Sequence, residues 1–220
     1  MGQDTDSAAR LRVVALISGR GSNLQALIDA CRGDYPASVI AVISNRADAA
    51  GLERARKAGI RSAVLDNRNY PQRAQFDNAL AELIDSYRPG LVVLTGFMRI
   101  LTETFVKHYD GRLMNIHPSL LPAFPGLDTH RQALNSGVTE HGATVHFVKP
   151  SLDAGPIIIQ GRVQVEPGDD ESSLANRVLQ EEHRIYPQAV RWFAEKRLTL
   201  NGNHVCLDDK PVNEVTPRDG

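Results

Sequence analysis

The chain has 220 residues and a formal net charge of -1, with 25 basic and 26 acidic side chains. That length allows one domain with a substantial core, and the balanced charge argues against a broad basic surface for nucleic acid while leaving room for a local phosphate site. The sequence has no apolar run of the roughly 20 residues needed to cross a membrane, and residues 1–10 lack the apolar centre of a signal peptide.

The first half of the chain predicts alternating strands and helices. Short apolar runs predict strands at residues 11–17, 39–43, 63–65 and 91–94. Helical spacing of apolar residues covers about 22–31, 52–58 and 72–86. Continuous apolar strands separated by helices indicate a parallel sheet that is covered on both faces.

The second half of the chain follows a different pattern. A strand is predicted from Leu113 to His117, and two more at 143–148 and 157–165. The loop between the last two strands is too short for a helical crossover, so we expect this pair to be antiparallel. A long helix follows at about 172–196, and its Pro187 can kink it. After Thr199 the polar composition predicts a hairpin or a loose tail.

A glycine-rich turn joins the first predicted strand to the first helix. Its sequence is Gly19-Arg20-Gly21-Ser22-Asn23, and either Ser22 or Asn23 can begin the helix, whose free N–H groups favour an anion. A dinucleotide fingerprint would need a glycine at Leu24, and no G-K-[ST] follows for a Walker-type loop. The turn therefore favours a monophosphate, with an ordinary glycine turn as the alternative.

A second candidate site lies at the end of the strand that begins at Leu113. Asn115 and His117 are two residues apart, so they project to the same face, and Pro118 favours an extended His117. An amide and an imidazole aimed at one point can stabilise an oxyanion and move a proton. Asp153 could complete the set, although an Asp before Ala-Gly-Pro also suits a plain turn, and its spacing does not prove that it reaches His117.

Three segments of the chain resemble the folate-dependent formyltransferase family, namely residues 96–101 (GFMRIL), 115–122 (NIHPSLLP) and 152–156 (LDAGP). The catalytic Asn, His and Asp of that family correspond to Asn115, His117 and Asp153. Residues 18–25 and 182–187 resemble its glycinamide ribonucleotide branch in particular. The resemblance covers about residues 11–198 and implies an α/β, three-layer Rossmann-like formyltransferase fold: a mostly parallel sheet with an antiparallel C-terminal hairpin.

The resemblance also implies where the ligands bind. Gly21, Ser22 and Asn23 correspond to the turn that holds the phosphate of phosphoribosylglycinamide, and Glu182 corresponds to the acid that holds its ribose. Glu182 also falls on an apolar stripe of the last helix, where either a ligand or an internal salt bridge must satisfy its carboxylate. The co-substrate 10-formyltetrahydrofolate is expected at Arg73, Met98, Arg99, Ile100, Leu101 and Asn115.

The implied activity is direct transfer of the formyl group to the ribonucleotide amine, as part of purine biosynthesis. Asn115 and His117 would stabilise the oxyanion, and Asp153 would orient His117. A formyltetrahydrofolate hydrolase and a non-catalytic nucleotide-binding module are the alternatives.

Small-molecule substrates are the expected partners, without nucleic acid, membrane or metal, in a cytoplasmic monomer or homodimer. The two cysteines, Cys31 and Cys206, match no metal-ligand spacing. We expect a polar extension at 1–10, one domain at 11–199, and a hairpin or tail at 200–220. The role of His146, which could face either the folate or the core, is left open.

Overall fold

The computed structural model describes residues 10–212, so the polar extension predicted for 1–10 falls outside the described residues except for Arg10, and so does the tail beyond residue 212. Ten strands are assigned within this range: β1 Leu11–Ile17, β2 Ala37–Ser44, β3 Arg61–Val64, β4 Leu91–Leu94, β5 Leu113–His117, β6 Glu140–Phe147, β7 Ile157–Gln164, β8 Leu198–Asn201, β9 His204–Leu207 and β10 Lys210–Pro211. The helices are α1 Ser22–Ala30, α2 Gly51–Lys57, α3 Arg73–Ser86, α4 Glu103–His108, α5 Thr129–Ser136 and α6 Glu171–Ala194, with a short 3-10 helix at Asn67–Asn69.

Seven of the strands form one sheet in the order β3-β2-β1-β4-β5-β6-β7. Strands β1 to β5 pair in parallel, and β6 runs antiparallel to both of its neighbours. This confirms the mostly parallel sheet and the antiparallel β6–β7 pair. Strands β8, β9 and β10 form a separate antiparallel sheet, which confirms the C-terminal hairpin and adds a short third strand.

The large sheet is covered on both faces, as its continuous apolar strands predict. Because side chains alternate along a strand, Val13 and Ala15 of β1 join one buried cluster and Val14 joins the other. The first cluster takes buried side chains from α1, α2, α5 and α6, and the second takes them from α3 and α4. The fold therefore has three layers.

Helix α6 is the longest helix, and it carries one of the site residues. Its N-terminus is a capping box in which the Asp170 side chain accepts from Ser173 N at 2.7 Å and Ser173 Oγ accepts from Asp170 N at 3.0 Å. The helix continues through Pro187 to Ala194. Its buried face places Glu182 toward α1, against which α6 packs.

Candidate active site

The candidate site lies at the carboxyl ends of the parallel strands. Strands β1 and β4 are neighbours in space but not in sequence, so the chain leaves them in different directions and opens a crevice between them. The glycine turn follows β1, residues 95–101 follow β4, and the loop that begins at Pro118 follows β5. Sequence segments that lie far apart thus meet at one edge of the sheet.

The glycine turn is shaped by close backbone contacts. Gly21 has a φ of 68°, and a Cβ placed on it would lie 2.8 Å from the Cα of Gly51. The N–H of Gly51 donates to the carbonyl of Gly19 at 2.9 Å, which holds the turn against the start of α2. Helix α1 begins at Ser22, one of the two predicted starts. The turn therefore presents the free N–H groups of a helix start, the chemistry that suits a phosphate.

Glu182 contacts the first turn of α1. Its side chain is 8% exposed, and Asn23 Nδ2 donates to Glu182 Oε2 at 2.6 Å. Burial raises the pKa of Glu182, and the hydrogen bond from Asn23 offsets part of that rise. An amide, rather than the salt bridge considered from the sequence, is the partner of this carboxylate. The acid and the glycine turn therefore lie side by side.

Asn115, His117 and Asp153 are brought together. The Nδ1 atom of His117 lies 3.5 Å from Asp153 Oδ2, and the two side chains are only 7% and 9% exposed. Asn115 and His117 project from the same face of β5, and Asn115 Nδ2 lies 3.3 Å from His146 Nε2 on β6. The sequence alone left open whether Asp153 reaches His117, and the structure places it there.

The loop between β6 and β7 holds Asp153 by its backbone geometry. Asp153 has a φ of 48°, and its Oδ2 accepts from the N–H of Gly126 at 2.9 Å. Gly155 follows so close to β6 that an added Cβ would lie 1.7 Å from the carbonyl oxygen of Phe147. The carboxylate is thus fixed from two directions, by its own turn and by the loop after β5.

His146 faces the site, which settles the orientation that the sequence left open. Its Nδ1 lies 3.0 Å from the carbonyl oxygen of Phe147, so the ring proton sits on Nδ1 and Nε2 is left to accept from Asn115. Asp153 Oδ1 lies 3.9 Å from the same Nε2. Burial lowers the pKa of His146, in keeping with a neutral ring that orients the Asn115 amide.

His117 meets an acceptor on each side of its ring. Nε2 lies 2.9 Å from the carbonyl oxygen of Phe124, and Nδ1 faces the carboxylate of Asp153. A doubly protonated imidazolium satisfies both contacts. Phe124 has a φ of 53°, an uncommon conformation for a bulky residue. A substrate oxygen that takes the place of the Phe124 carbonyl would find an N–H already aimed at it.

The segment expected to bind the folate is partly open. Met98 is 72% exposed and Ile100 is 58% exposed, whereas Leu101 is buried. The Arg99 guanidinium lies 4.7 Å from the centre of the Phe76 ring, so it packs against α3. Arg73 is exposed at the start of the same helix. The two exposed apolar side chains are therefore free to contact a flat ring, whereas the Arg99 guanidinium already packs against Phe76.

Two further features of the described residues concern membranes and metal ions. Between residues 10 and 212, no helix is both long and apolar enough to cross a membrane. The same range contains no group of three or more His, Cys, Asp or Glu side chains arranged to hold a metal ion.

The comparisons with known proteins agree on one family. The model of the formyl transferase family matches residues 11–190. The chain is 54% identical over 199 residues to phosphoribosylglycinamide formyltransferase of Escherichia coli (strain K12), covering 90% of this chain and 94% of that protein. It is similar to the solved structure of phosphoribosylglycinamide formyltransferase from Coxiella burnetii, with a TM-score of 0.89, 50% identity, and coverage of 92% and 95% of the two chains. Glycinamide ribonucleotide transformylase 1 from Symbiobacterium toebii gives a TM-score of 0.88 and 51% identity over 91% and 95% of the chains. The chain therefore belongs to the formyl transferase family.

Proposed function

We propose that this protein transfers the formyl group of 10-formyltetrahydrofolate to the amine of phosphoribosylglycinamide, a reaction of purine biosynthesis. The observation that carries the proposal is the meeting of two features at one sheet edge. One is a helix-start turn beside a buried acid, Glu182, and the other is the cluster of Asn115, His117 and Asp153. Water as acceptor would need no phosphate turn, so the transferase is favoured over a hydrolase.

The ribonucleotide would bind between α1 and α6. Its phosphate would accept hydrogen bonds from the backbone N–H groups at Gly21, Ser22 and Asn23, aided by the helix dipole. Glu182, already bonded to Asn23, has a second oxygen with which to accept from ribose hydroxyls. These contacts would direct the glycyl amine toward the end of β5.

The reaction would proceed as direct acyl transfer. The amine nitrogen forms a bond to the formyl carbon, and the formyl oxygen gains the negative charge. The Asn115 amide and a His117 N–H stabilise that oxygen, a role in which one hydrogen-bond donor is worth about 3–4 kcal/mol. The bond from the carbon to the folate nitrogen then breaks and His117 delivers a proton to that nitrogen. The proton that the amine loses passes to His117, which restores its protonated form. Asp153 holds the ring of His117 in place.

The formyl donor would lie along the segment that follows β4. We propose that the exposed Met98 and Ile100 flank the flat ring and that Leu101 forms the floor beneath it. Arg73 would meet the acidic end of the donor, since it is exposed at the rim. Arg99 would contribute through its backbone, because its guanidinium packs on Phe76.

The proposal is tested by a spectrophotometric assay of donor deformylation, run with and without phosphoribosylglycinamide. We expect turnover that depends on the ribonucleotide and that falls by on the order of 100-fold or more in His117→Ala. His204→Ala, an exposed histidine on β9, is the matched control and should behave as the parent protein. Equal turnover without acceptor would make the protein a hydrolase, and no turnover would favour a binding module.

The same proposal includes the wider setting of the enzyme. Residues 11–199 would act as one formyltransferase domain, in the cytoplasm, as a monomer or a homodimer. The family match to residues 11–190 and the end of α6 at Ala194 support a single domain that covers most of residues 11–199. Strand β8 crosses the expected boundary at residue 199, so truncation after residue 199 should be compared with truncation after residue 212. Size-exclusion chromatography distinguishes a monomer from a dimer.

A further inference from the structure

Residues 98–101, here called the donor segment, are tethered by polar side chains at both ends. Leu101 is buried and Arg99 packs on Phe76, but the side chains of Met98 and Ile100 are exposed and add no apolar packing to the protein. The backbone of the segment therefore depends in part on polar contacts for its position. Two buried side chains from elsewhere in the fold, Ser18 and Asp77, supply them.

Ser18 holds the start of the donor segment. Its side chain is 7% exposed at the end of β1, and its Oγ accepts from the N–H of Met98 at 2.8 Å. The same hydroxyl donates to Asn45 Oδ1 at 2.6 Å, so both of its hydrogen-bonding roles are in use and its orientation is fixed. Ser18 also directly precedes the glycine turn. One hydroxyl thus connects the two halves of the site.

Asp77 holds the residue that follows the donor segment. It lies on α3 and is 1% exposed, and its Oδ2 accepts from the N–H of Thr102 at 2.6 Å. Its Oδ1 has no hydrogen-bond partner in the described part of the chain. A buried carboxylate with one bare oxygen costs stability, and a neutral acceptor would serve the fold as well.

We propose that Ser18 and Asp77 are positioning residues for the formyl donor, holding the two ends of the donor segment so that it presents a fixed surface to the folate. The inference rests on the proposed function, because the donor segment has its role only in that function. Neither side chain needs to touch a substrate. Loss of either one lets the segment move, which weakens donor binding while the ribonucleotide site on α1 and α6 keeps its contacts.

The test measures the KM of donor and acceptor separately, with kcat and Tm, for Ser18→Ala, Asp77→Ala and Asp77→Asn. We expect the alanine variants to raise the donor KM about tenfold, the usual size of effect for a buried N–H left unpaired. The acceptor KM of Asp77→Ala should stay within about twofold. Asp77→Asn keeps an oxygen for Thr102 N, so its donor KM should stay within about threefold of the parent protein. Glu82→Ala, an exposed carboxylate on α3, is the matched control.

An unchanged donor KM in the alanine variants, with transfer intact, would overturn the inference alone. Donor and acceptor KM rising together with a fall in Tm would also overturn it, because that pattern marks a purely structural role. If Asp77→Ala does not fold, Ser18→Ala decides by the same criteria. Binding of a 10-formylfolate analogue, measured by calorimetry, separates the two proposals. A parent protein that binds the analogue without transferring formyl refutes the proposed function, and the variants' Kd then decides the inference. A parent protein that binds no analogue overturns both.

Discussion

Replacing Asp153 with asparagine separates the charge of this side chain from its shape. The substituted amide oxygen can still accept from the N–H of Gly126, which now bonds Oδ2 at 2.9 Å, so the loop should keep its conformation. The negative charge opposite His117 is lost. The change therefore probes how much the carboxylate contributes to the imidazolium that the proposed mechanism requires.

The size of the effect follows from the geometry of the pair. Two unit charges at the observed 3.5 Å attract by about 5 kcal/mol at an effective dielectric constant of about 20. Because both side chains are less than 10% exposed, solvent and salt screen this attraction little. The dipole of the new amide recovers part of it. We expect a net loss of about 3–4 kcal/mol in the transition state, which lowers kcat by roughly 100- to 1000-fold.

The assay is formyl transfer at saturating donor and acceptor, with Tm recorded for each variant. Asp128→Asn is the matched control, since Asp128 is exposed in the neighbouring loop and pairs with Arg131 on the surface. Its kcat should match that of the parent protein. A kcat for Asp153→Asn within about threefold of the parent, in a folded protein, would refute the electrostatic role assigned to Asp153.

Three further predictions concern the turn, the core and pH. Gly21→Ala places a Cβ 2.8 Å from the Cα of Gly51, on a residue with a φ of 68°. The change should lower the stability measured by thermal melting by about 1–3 kcal/mol. It should also raise the KM for the ribonucleotide about tenfold and leave the KM for the donor unchanged. Tyr186→Phe removes the one hydroxyl hydrogen that the carbonyl oxygens of Leu94 and Met114 share, at 3.0 and 3.1 Å from the hydroxyl. It should lower the free energy of unfolding by about 1–3 kcal/mol in urea, with kcat unchanged. His141 is fully buried, and burial lowers its pKa to about 4. Between pH 6.5 and 4 the unfolded chain binds a proton that the folded chain does not, so stability should fall as pH falls, by up to about 1.4 kcal/mol per unit, and less steeply in His141→Gln.

Each of these predictions has a contrary outcome. An unchanged ribonucleotide KM in Gly21→Ala would separate the glycine turn from the phosphate. Identical urea midpoints for Tyr186→Phe and the parent protein would mean that the two carbonyls find other partners. Parallel stability profiles for His141→Gln and the parent protein across the acid range would show that this histidine does not titrate with folding.

The sequence predicts best those elements whose burial requires a regular pattern of apolar residues. Strands β1 and β4 match their predicted bounds because both faces of the sheet are covered and the apolar runs are unbroken. Helices α4 and α5 were not predicted from the sequence. They have six and eight residues, and α5 begins after Asp128, whose φ of 57° is set by its loop and whose side chain makes no capping hydrogen bond that the sequence could signal.

The site residues, too, were predictable only in part from the sequence. The shared face of Asn115 and His117 follows from strand geometry alone, and the structure bears it out. The approach of Asp153 depends on a loop conformation with positive φ and on a contact with Gly126, neither of which local propensity encodes. His146 stayed undecided because the register that pairs it with Asn115 is a tertiary property, set by two strands that lie 31 residues apart.

The contact between Gly21 and Gly51 constrains how the protein can diverge. An added Cβ on Gly51 would lie 2.7 Å from the Cδ1 of Ile17, so neither glycine leaves room for a side chain, and a compensating change at one position does not create space at the other. At Gly21 the turn therefore offers a ligand only its main chain. A lineage that acquires a different anion preference must therefore do so through neighbours such as Arg20, whose identity the backbone does not dictate.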